Sequence, residues 1–265
     1  MNRRALLAGL GLGLTALVEA PAHARHAQRP WIEGRMRSGE LLAYHGRRGV
    51  PMSFDDETAL PTTPRGLTLF AAPHDAPGRH TLAVGRARFP VAIRRRAQPA
   101  SEVHVPALDE DDRAAHADAL AHIARVRRRV LPDDAFTRGF ALPIVGEVSS
   151  EFGVARAHGV HLGIDLVAPI GAAVRAPADG VVTLSIETPV FGRTLVIDHG
   201  HALTTSLLHL SATLAREGTR VRRGDVVARS GATGRVTGAH LDWRVAWRDV
   251  DVDPRGVLAL LPARA

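Results

Sequence analysis

The stretch T-G-R-V-T-G-A-H-L-D-W-R-V-A-W, residues Thr233–Trp247, decides the fold that the sequence predicts. In its second half, His240 and Asp242 alternate with Leu241 and Trp243. Successive side chains of a strand point to opposite faces, so a strand would place the two polar side chains on one face and the two apolar ones on the other. The stretch therefore predicts a strand with one face in a core and the other carrying a pair that can bind a metal or transfer protons.

Two other short motifs carry side chains of the same kind. His161 and Asp165 lie in V-H-L-G-I-D-L-V-A-P, and His209 lies in S-L-L-H-L-S. A helix would also bring His161 and Asp165 together, but Gly163 and the alternation of polar and apolar residues favour a strand over Val160–Val167. We expect the three motifs to come from distant strands and to converge on one site.

Residues 1–24 have the composition of a secretory signal peptide. Arginines precede a short apolar run at Ala5–Val18, and Ala22 and Ala24 supply the small residues of a cleavage site. The run is too short for a stable membrane span, so we expect export, to the periplasm, with cleavage after Ala24. The chain has no cysteine, which excludes disulfides and a lipid-modified cysteine.

The net charge gives little indication of a partner. The chain has 34 basic residues, all of them arginine, against 27 acidic ones, for a formal charge of +7. A surplus of this size, spread along the chain, does not argue for nucleic acid. A polyanionic envelope polymer would suit it equally well, and a merely solvated surface suits it best.

The region before residue 136 predicts two segments. Residues 25–98 contain short apolar runs separated by glycine- and proline-bearing turns, which indicates a small β-rich, immunoglobulin-like accessory domain. Residues 99–135 predict a linker and a helix over Leu108–Leu131, whose acidic first turn and basic last turn suit the helix dipole. We expect His116 and His122 of this helix to face solvent.

Residues 136–265 read as one strand after another with short turns between them. This pattern predicts an antiparallel, all-β domain. His199 and His201 flank a glycine at one of the turns, where we expect a supporting or surface role.

The polar side chains of this domain suit a hydrolytic metal site. Such zinc sites commonly use three His, Asp or Glu ligands and leave one position for water, and His161, Asp165 and Asp242 are the predicted three. His209 and His240 would stand beside them as free imidazoles, one helping to deprotonate the water and the other stabilising the oxyanion or protonating the leaving amine. Each spacing taken singly is common in proteins without a metal. The order of the motifs and the glycines between them favour a single site.

The motifs together resemble those of the lysostaphin-type, or LytM-domain, zinc endopeptidases. The run His161–Val182 is similar to the first metal motif of that family, and Leu207–Ser211 and Val221–Leu241 continue the match in the same order. The resemblance covers Phe140–Arg248. It implies an antiparallel β-sheet groove with a duplicated hybrid motif, preceded by a β-rich domain and a connecting helix.

The resemblance also implies one zinc ion and hydrolysis of peptide cross-links in peptidoglycan through a metal-activated water. By position, His161 and Asp165 match metal ligands, and His209 and His240 match the two catalytic histidines. The family motif ends in His-x-His, however, and its third ligand is replaced here by Asp242. Aspartate is an accepted zinc ligand, although it is anionic where histidine is neutral.

A second departure is Leu207, which stands where the family usually has a tyrosine. Two functions therefore stay open: an exported zinc endopeptidase acting on peptidoglycan stem peptides, or a catalytically degenerate LytM-domain protein. The second would bind cell wall or activate another cell-wall hydrolase, such as an amidase. The front half could be a spacer or could cover the groove.

Overall fold

The protein is described by a computed structural model that covers residues 4–6, 30–55, 59–97, 110–131, 133–156 and 159–263. Within these ranges, antiparallel strands predominate and α-helix is confined to two segments. The predicted all-β class is confirmed. No helix in the described ranges has both the length and the apolar character needed to cross a membrane.

The front half forms two small sheets. One has the strand order β1-β2-β3-β5 and the other the order β4-β6-β7. The seven strands are β1 (Arg4–Leu6), β2 (Trp31–Glu33), β3 (Leu41–His45), β4 (Met52–Phe54), β5 (Leu67–Ala71), β6 (Gly78–Val84) and β7 (Ala87–Ile93). Strand β1 lies in the predicted leader, whose other residues lie outside the described ranges. The division of the chain at residues 24, 98 and 135 stays a prediction.

Helix α1 (Glu110–Arg127) follows the front half and lies against the main sheet of the second half. Its buried residues Ala119, Ile123 and Val126 follow the i, i+4, i+7 spacing of a helix with one apolar face. His122 is exposed, as expected. The prediction for His116 was wrong: this ring is partly buried because it packs edge-on against Phe191, with ring centroids 4.8 Å apart.

The second half is built on one eight-stranded antiparallel sheet. Its order is β17-β13-β14-β15-β19-β11-β8, and β20 pairs with β19 off this path. The strands are β8 (Val148–Ser150), β11 (Ile164–Val167), β13 (Gly180–Thr188), β14 (Gly192–Asp198), β15 (Leu203–Leu210), β17 (Arg220–Val221), β19 (His240–Trp247) and β20 (Val250–Val252).

Smaller elements complete this half. Two short sheets, of order β12-β18-β16 and β10-β9, flank the main one, and a second helix follows β20. They are β9 (Ala155–Arg156), β10 (Gly159–Val160), β12 (Ala173–Arg175), β16 (Ala212–Thr213), β18 (Val226–Arg229), a 3-10 helix (Ala135–Arg138) and α2 (Pro254–Leu260). The strand predicted over Val160–Val167 is interrupted: residues 161–163 form a bend between β10 and β11.

The two halves share one apolar core and a buried ionic contact. Buried side chains of the front sheets and of the main sheet belong to a single cluster. Across the contact, Arg96 donates to Glu40 Oε1 at 2.8 Å and to Asp253 Oδ2 at 2.9 Å. Arg37 also donates to Glu40, and burial raises the pKa of that carboxyl. Arg96 therefore joins the segment before β3 to Asp253, which caps the N-terminus of α2.

Replacing Arg96 by alanine should destabilise the protein strongly. The change leaves Glu40 and Asp253 buried without their shared cation, and removal of one partner from a buried ionic contact costs about 3–5 kcal/mol. Urea unfolding of Arg96→Ala measures the loss, with the exposed neighbour in Arg95→Ala as the control. Equal stabilities of the two variants would contradict the importance of this contact.

Candidate active site

The site begins with two aspartates that face each other across neighbouring strands. Strands β11 and β19 pair antiparallel with Asp165 directly opposite Asp242. Opposed residues of an antiparallel pair project to the same face, so the two carboxylates lie side by side. Leu241 and Trp243, which alternate with the polar residues of β19, are fully buried in the core. The alternation predicted from the sequence therefore describes this strand correctly.

His161 enters the same place from the bend before β11. Its Nε2 lies 3.1 Å from Asp165 Oδ1 and 3.7 Å from Asp242 Oδ1. Its Nδ1 lies 3.1 Å from the carbonyl oxygen of Glu151, to which it can donate, and 3.1 Å from Ser150 Oγ. Burial alone would lower the pKa of His161, but the two carboxylates raise it to about 9. The position thus stabilises positive charge.

These three residues fit a divalent metal ion. His161 Nε2 and Asp165 Oδ1 are buried and make no hydrogen bond of normal geometry within the described part of the chain, which is rare for buried polar atoms. One ligand atom from each of His161, Asp165 and Asp242 lies within 4.8 Å of the others. An imidazole with two carboxylates is a donor set that zinc accepts. A cation between them would satisfy the two orphaned atoms.

An arginine also donates to the Oδ2 oxygen of each carboxylate. Arg244 donates to Asp242 Oδ2 from Nη2 at 2.6 Å, and Arg156 donates to Asp165 Oδ2 at 2.9 Å. Burial alone would raise the pKa of Asp242, but Arg244 and His161 hold it well below its usual range. Neither arginine is among the site residues predicted from the sequence. Residues two apart on a strand share a face, so the alternation that places His240 beside Asp242 also places Arg244 beside Asp242.

His209 reaches the site through an irregularity in β15. The register of β14 against β15 shifts between the pairs Arg193–Leu210 and Leu195–Leu207, which is the pattern of a β-bulge. His209 lies in this bulge with φ +61°, a left-handed conformation that is unfavourable for a residue with a side chain. The backbone strain is consistent with a side chain held in a set direction.

The two free imidazoles stand next to each other. The rings of His209 and His240 have centroids 4.9 Å apart. Nδ1 of His209 lies 2.9 Å from the carbonyl oxygen of Thr233, and Nδ1 of His240 lies 2.9 Å from that of Gly238. A carbonyl can only accept, so Nδ1 carries the proton and Nε2 is left as the basic nitrogen in each neutral ring. Burial lowers the pKa of His209, which favours its neutral form.

All five residues predicted for the site are therefore close together, whereas His199 and His201 are not part of it. His199 is fully buried, with Nδ1 2.7 Å from the carbonyl oxygen of Asp179 and Nε2 3.0 Å from Thr205 Oγ1. Burial lowers its pKa to about 4. His201 packs edge-on against Phe136. Both support the fold from inside, and neither lies on the surface.

Comparison with known proteins places this part of the chain in a family. Residues 159–254 match the sequence model of peptidase family M23. This segment belongs to peptidase family M23. The resemblance to the lysostaphin-type, or LytM-domain, peptidases is thus confirmed. The M23 domain includes all five residues of the site, although their individual roles stay predictions.

Relatives of the M23 domain include cell-wall enzymes. The peptidoglycan DD-endopeptidase ShyB of Vibrio cholerae serotype O1 is 40% identical over 113 residues, covering 40% of this chain and 26% of ShyB. The DD-carboxypeptidase/endopeptidase Mpg of Neisseria meningitidis serogroup B is 39% identical over 121 residues, covering 43% of this chain and 28% of Mpg. The chain thus matches about a quarter of the length of these curated relatives.

One solved structure is similar over most of the chain. It is a Pseudomonas aeruginosa protein assigned to peptidase M23, with a TM-score of 0.69 and 26% identity, covering 86% of this chain and 96% of the other. The similarity therefore extends beyond the M23 domain into the front half.

Gly163→Ala should disturb the two carboxylates. A Cβ at this position would lie 2.5 Å from Asp242 Oδ1 and 2.7 Å from the backbone oxygen of Trp243, closer than real contacts allow. We expect a loss of stability of about 1–3 kcal/mol from overpacking and a weaker affinity for zinc, measured by competition with a chromophoric chelator. Gly238→Ala is the matched control because a Cβ there meets nothing within 4 Å. Unchanged zinc affinity in Gly163→Ala would contradict the placement of Asp242.

The His199→Gln variant should lose less stability than the wild type as the pH falls. The pKa of His199 is about 4 in the folded state against 6.5 for a free side chain, so the unfolded chain takes up a proton that the folded one does not. The contribution of His199 to the free energy of unfolding is fully present above pH 6.5. It is lost as the pH falls toward 4, by up to about 3 kcal/mol.

Urea unfolding in the presence of chelator at several pH values between 7.5 and 4 measures this difference. Burial raises the pKa of the neighbouring Asp198 to about 6, which acts in the opposite direction. Asp198 is present in both the wild type and His199→Gln, so its effect cancels when their free energies of unfolding are subtracted. Parallel pH profiles of the two proteins would contradict the assignment.

Proposed function

We propose that the chain is an exported zinc metallo-endopeptidase that hydrolyses the peptide cross-links of peptidoglycan. The observation that carries this proposal is the pair of buried, unsatisfied atoms His161 Nε2 and Asp165 Oδ1, which face Asp242 beside two imidazoles in the described part of the M23 domain. The peptidoglycan activities named for ShyB and Mpg support the substrate class. The leader-like residues 1–24 support export to the periplasm.

The residues of the chain divide the work between holding the ion and moving protons. His161, Asp165 and Asp242 would hold zinc, which when bound acidifies a water molecule and polarises the scissile carbonyl. His209 is the better general base, because burial keeps its ring neutral and its Nδ1–H bond to Thr233 leaves Nε2 free to take a proton. His240 is half-buried, and its Nε2 lies 3.7 Å from Asp165 Oδ1. It is placed to stabilise the oxyanion or to protonate the leaving amine.

A second function rests on the contact between Asp242 and Arg244. A carboxylate already bound by a guanidinium is a less available ligand, so the M23 domain could instead dock a stem peptide or a cell-wall amidase without cutting. This alternative predicts that Asp242→His creates activity where none existed. It also predicts that any stimulation of a partner amidase survives chelation.

The proposed activity is tested on the purified chain without residues 1–24. We expect zinc in near-stoichiometric amount, cleavage of cross-linked muropeptides, and loss of cleavage with chelator. His209→Ala and His240→Ala should each lower the rate by about 10²–10⁴-fold while the zinc content is kept, because they remove proton transfer and leave the ligands. His122→Ala, at an exposed histidine of α1, is the control. Bound zinc without cleavage of any muropeptide would support the second function.

A further inference from the structure

We propose that Arg244 is the positioning residue that makes Asp242 a working metal ligand. It does so by turning one carboxylate oxygen toward the site and by restoring one positive charge there. This inference rests on the zinc centre of the proposed function and deepens it, because it assigns a role to a residue outside the ligand set.

The first argument is the way in which the guanidinium holds the carboxylate. Asp242 and Arg244 lie two apart on β19 and so share a face. Arg244 donates to Asp242 Oδ2 from Nη2 at 2.6 Å and from Nε at 3.0 Å, and to Oδ1 only at 3.2 Å. Oδ2 is thus the oxygen that accepts the two shorter hydrogen bonds of Arg244. Oδ1 is the one directed at His161 Nε2, 3.7 Å away.

The second argument is that the guanidinium is itself fixed before any ion binds. It lies over the ring of Phe191, with 4.9 Å from Cζ to the ring centroid, and the side chain is only 19% exposed. Phe191 is buried and packs against His116 of α1. The backbone oxygen of Phe191 accepts the N–H of His209 at 3.0 Å. One residue therefore supports both the guanidinium and the backbone of the predicted base.

The third argument is charge. One neutral imidazole and two carboxylates cancel the two charges of a divalent ion, and a neutral site acidifies water less than a positive one. Arg156 adds one positive charge beside Asp165, and a guanidinium in contact with Asp242 adds a second, which offsets the negative charge that an aspartate carries in place of a neutral ligand. Charges act strongly at a poorly solvated site. Groups that hydrogen-bond a ligating carboxylate commonly change metal affinity by about 10–100-fold when removed.

Zinc affinity of the mature chain, measured by competition with a chromophoric chelator at one pH, tests the inference without relying on activity. Arg244→Gln should weaken zinc binding by about 10–100-fold. Arg244→Lys keeps the charge but loses the planar guanidinium that donates several hydrogen bonds to the carboxylate. Its zinc affinity should lie between those of Arg244→Gln and the wild type. The control is Arg220→Gln on β17, at the far edge of the sheet, which breaks the exposed ion pair between Arg220 and Asp133. It should bind zinc as the wild type does.

Combining Arg244→Gln with Asp242→His makes the test specific. In an Asp242→His background there is no carboxylate to hold, and a nearby cation only repels the ion. The further change Arg244→Gln should therefore leave zinc affinity unchanged or raise it, the reverse of its effect beside Asp242. Circular dichroism of each variant checks that the fold is kept.

The outcomes separate this inference from the proposed function. If the wild type binds zinc and Arg244→Gln binds it equally well or more tightly, the inference is overturned and the zinc site stands. If Arg244→Gln weakens binding to the same extent in the wild type and in the Asp242→His background, its effect does not act through the carboxylate and the inference also fails. If the wild type binds no zinc, the zinc centre of the proposed function fails, and the inference fails with it.

Discussion

Two like charges placed opposite each other are the constraint on which the site depends. The register of β11 against β19 sets Asp165 beside Asp242, and both carboxylates are buried. Such a pair repels unless positive charge lies close to it. The chain supplies that charge from three directions, with Arg156 on one carboxylate, Arg244 on the other and His161 between them. The contacts of the two carboxylates with these three side chains follow from this one juxtaposition.

The same strands can carry buried charge because their opposite face is thoroughly apolar. Leu241 and Trp243 on β19 and Leu166 on β11 have no exposed surface and anchor the two strands in the main core. The burial of large side chains, worth about 1.5–3 kcal/mol each, offsets the cost of keeping carboxylates out of water. Leu207 belongs to this core as well, so an apolar residue suits its position. The site therefore lies on one face of the pair β11 and β19, and the opposite face of this pair packs in the core that stabilises the fold.

How much of this could be predicted from the sequence depends on how regular each strand is. The period of two was enough to place His240 with Asp242, because β19 is unbroken from residue 240 to 247. It was not enough for His209, whose direction depends on a bulge that alternation does not reveal. Arg244 could have been found by the same rule, but Arg156 could not, because it reaches Asp165 from a separate two-stranded sheet.

The front half is connected to the site through Arg96. The guanidinium of Arg96 lies over the ring of Phe152, 4.9 Å from its centroid, and Phe152 directly follows the Ser150–Glu151 segment that contacts Nδ1 of His161. The next residue, Gly153, donates its N–H to the backbone oxygen of His161 at 2.8 Å. These contacts are buried and are tied to α2 through Asp253. Through Arg96, the front half thus contacts the segment that lies against Nδ1 of His161, the first predicted ligand.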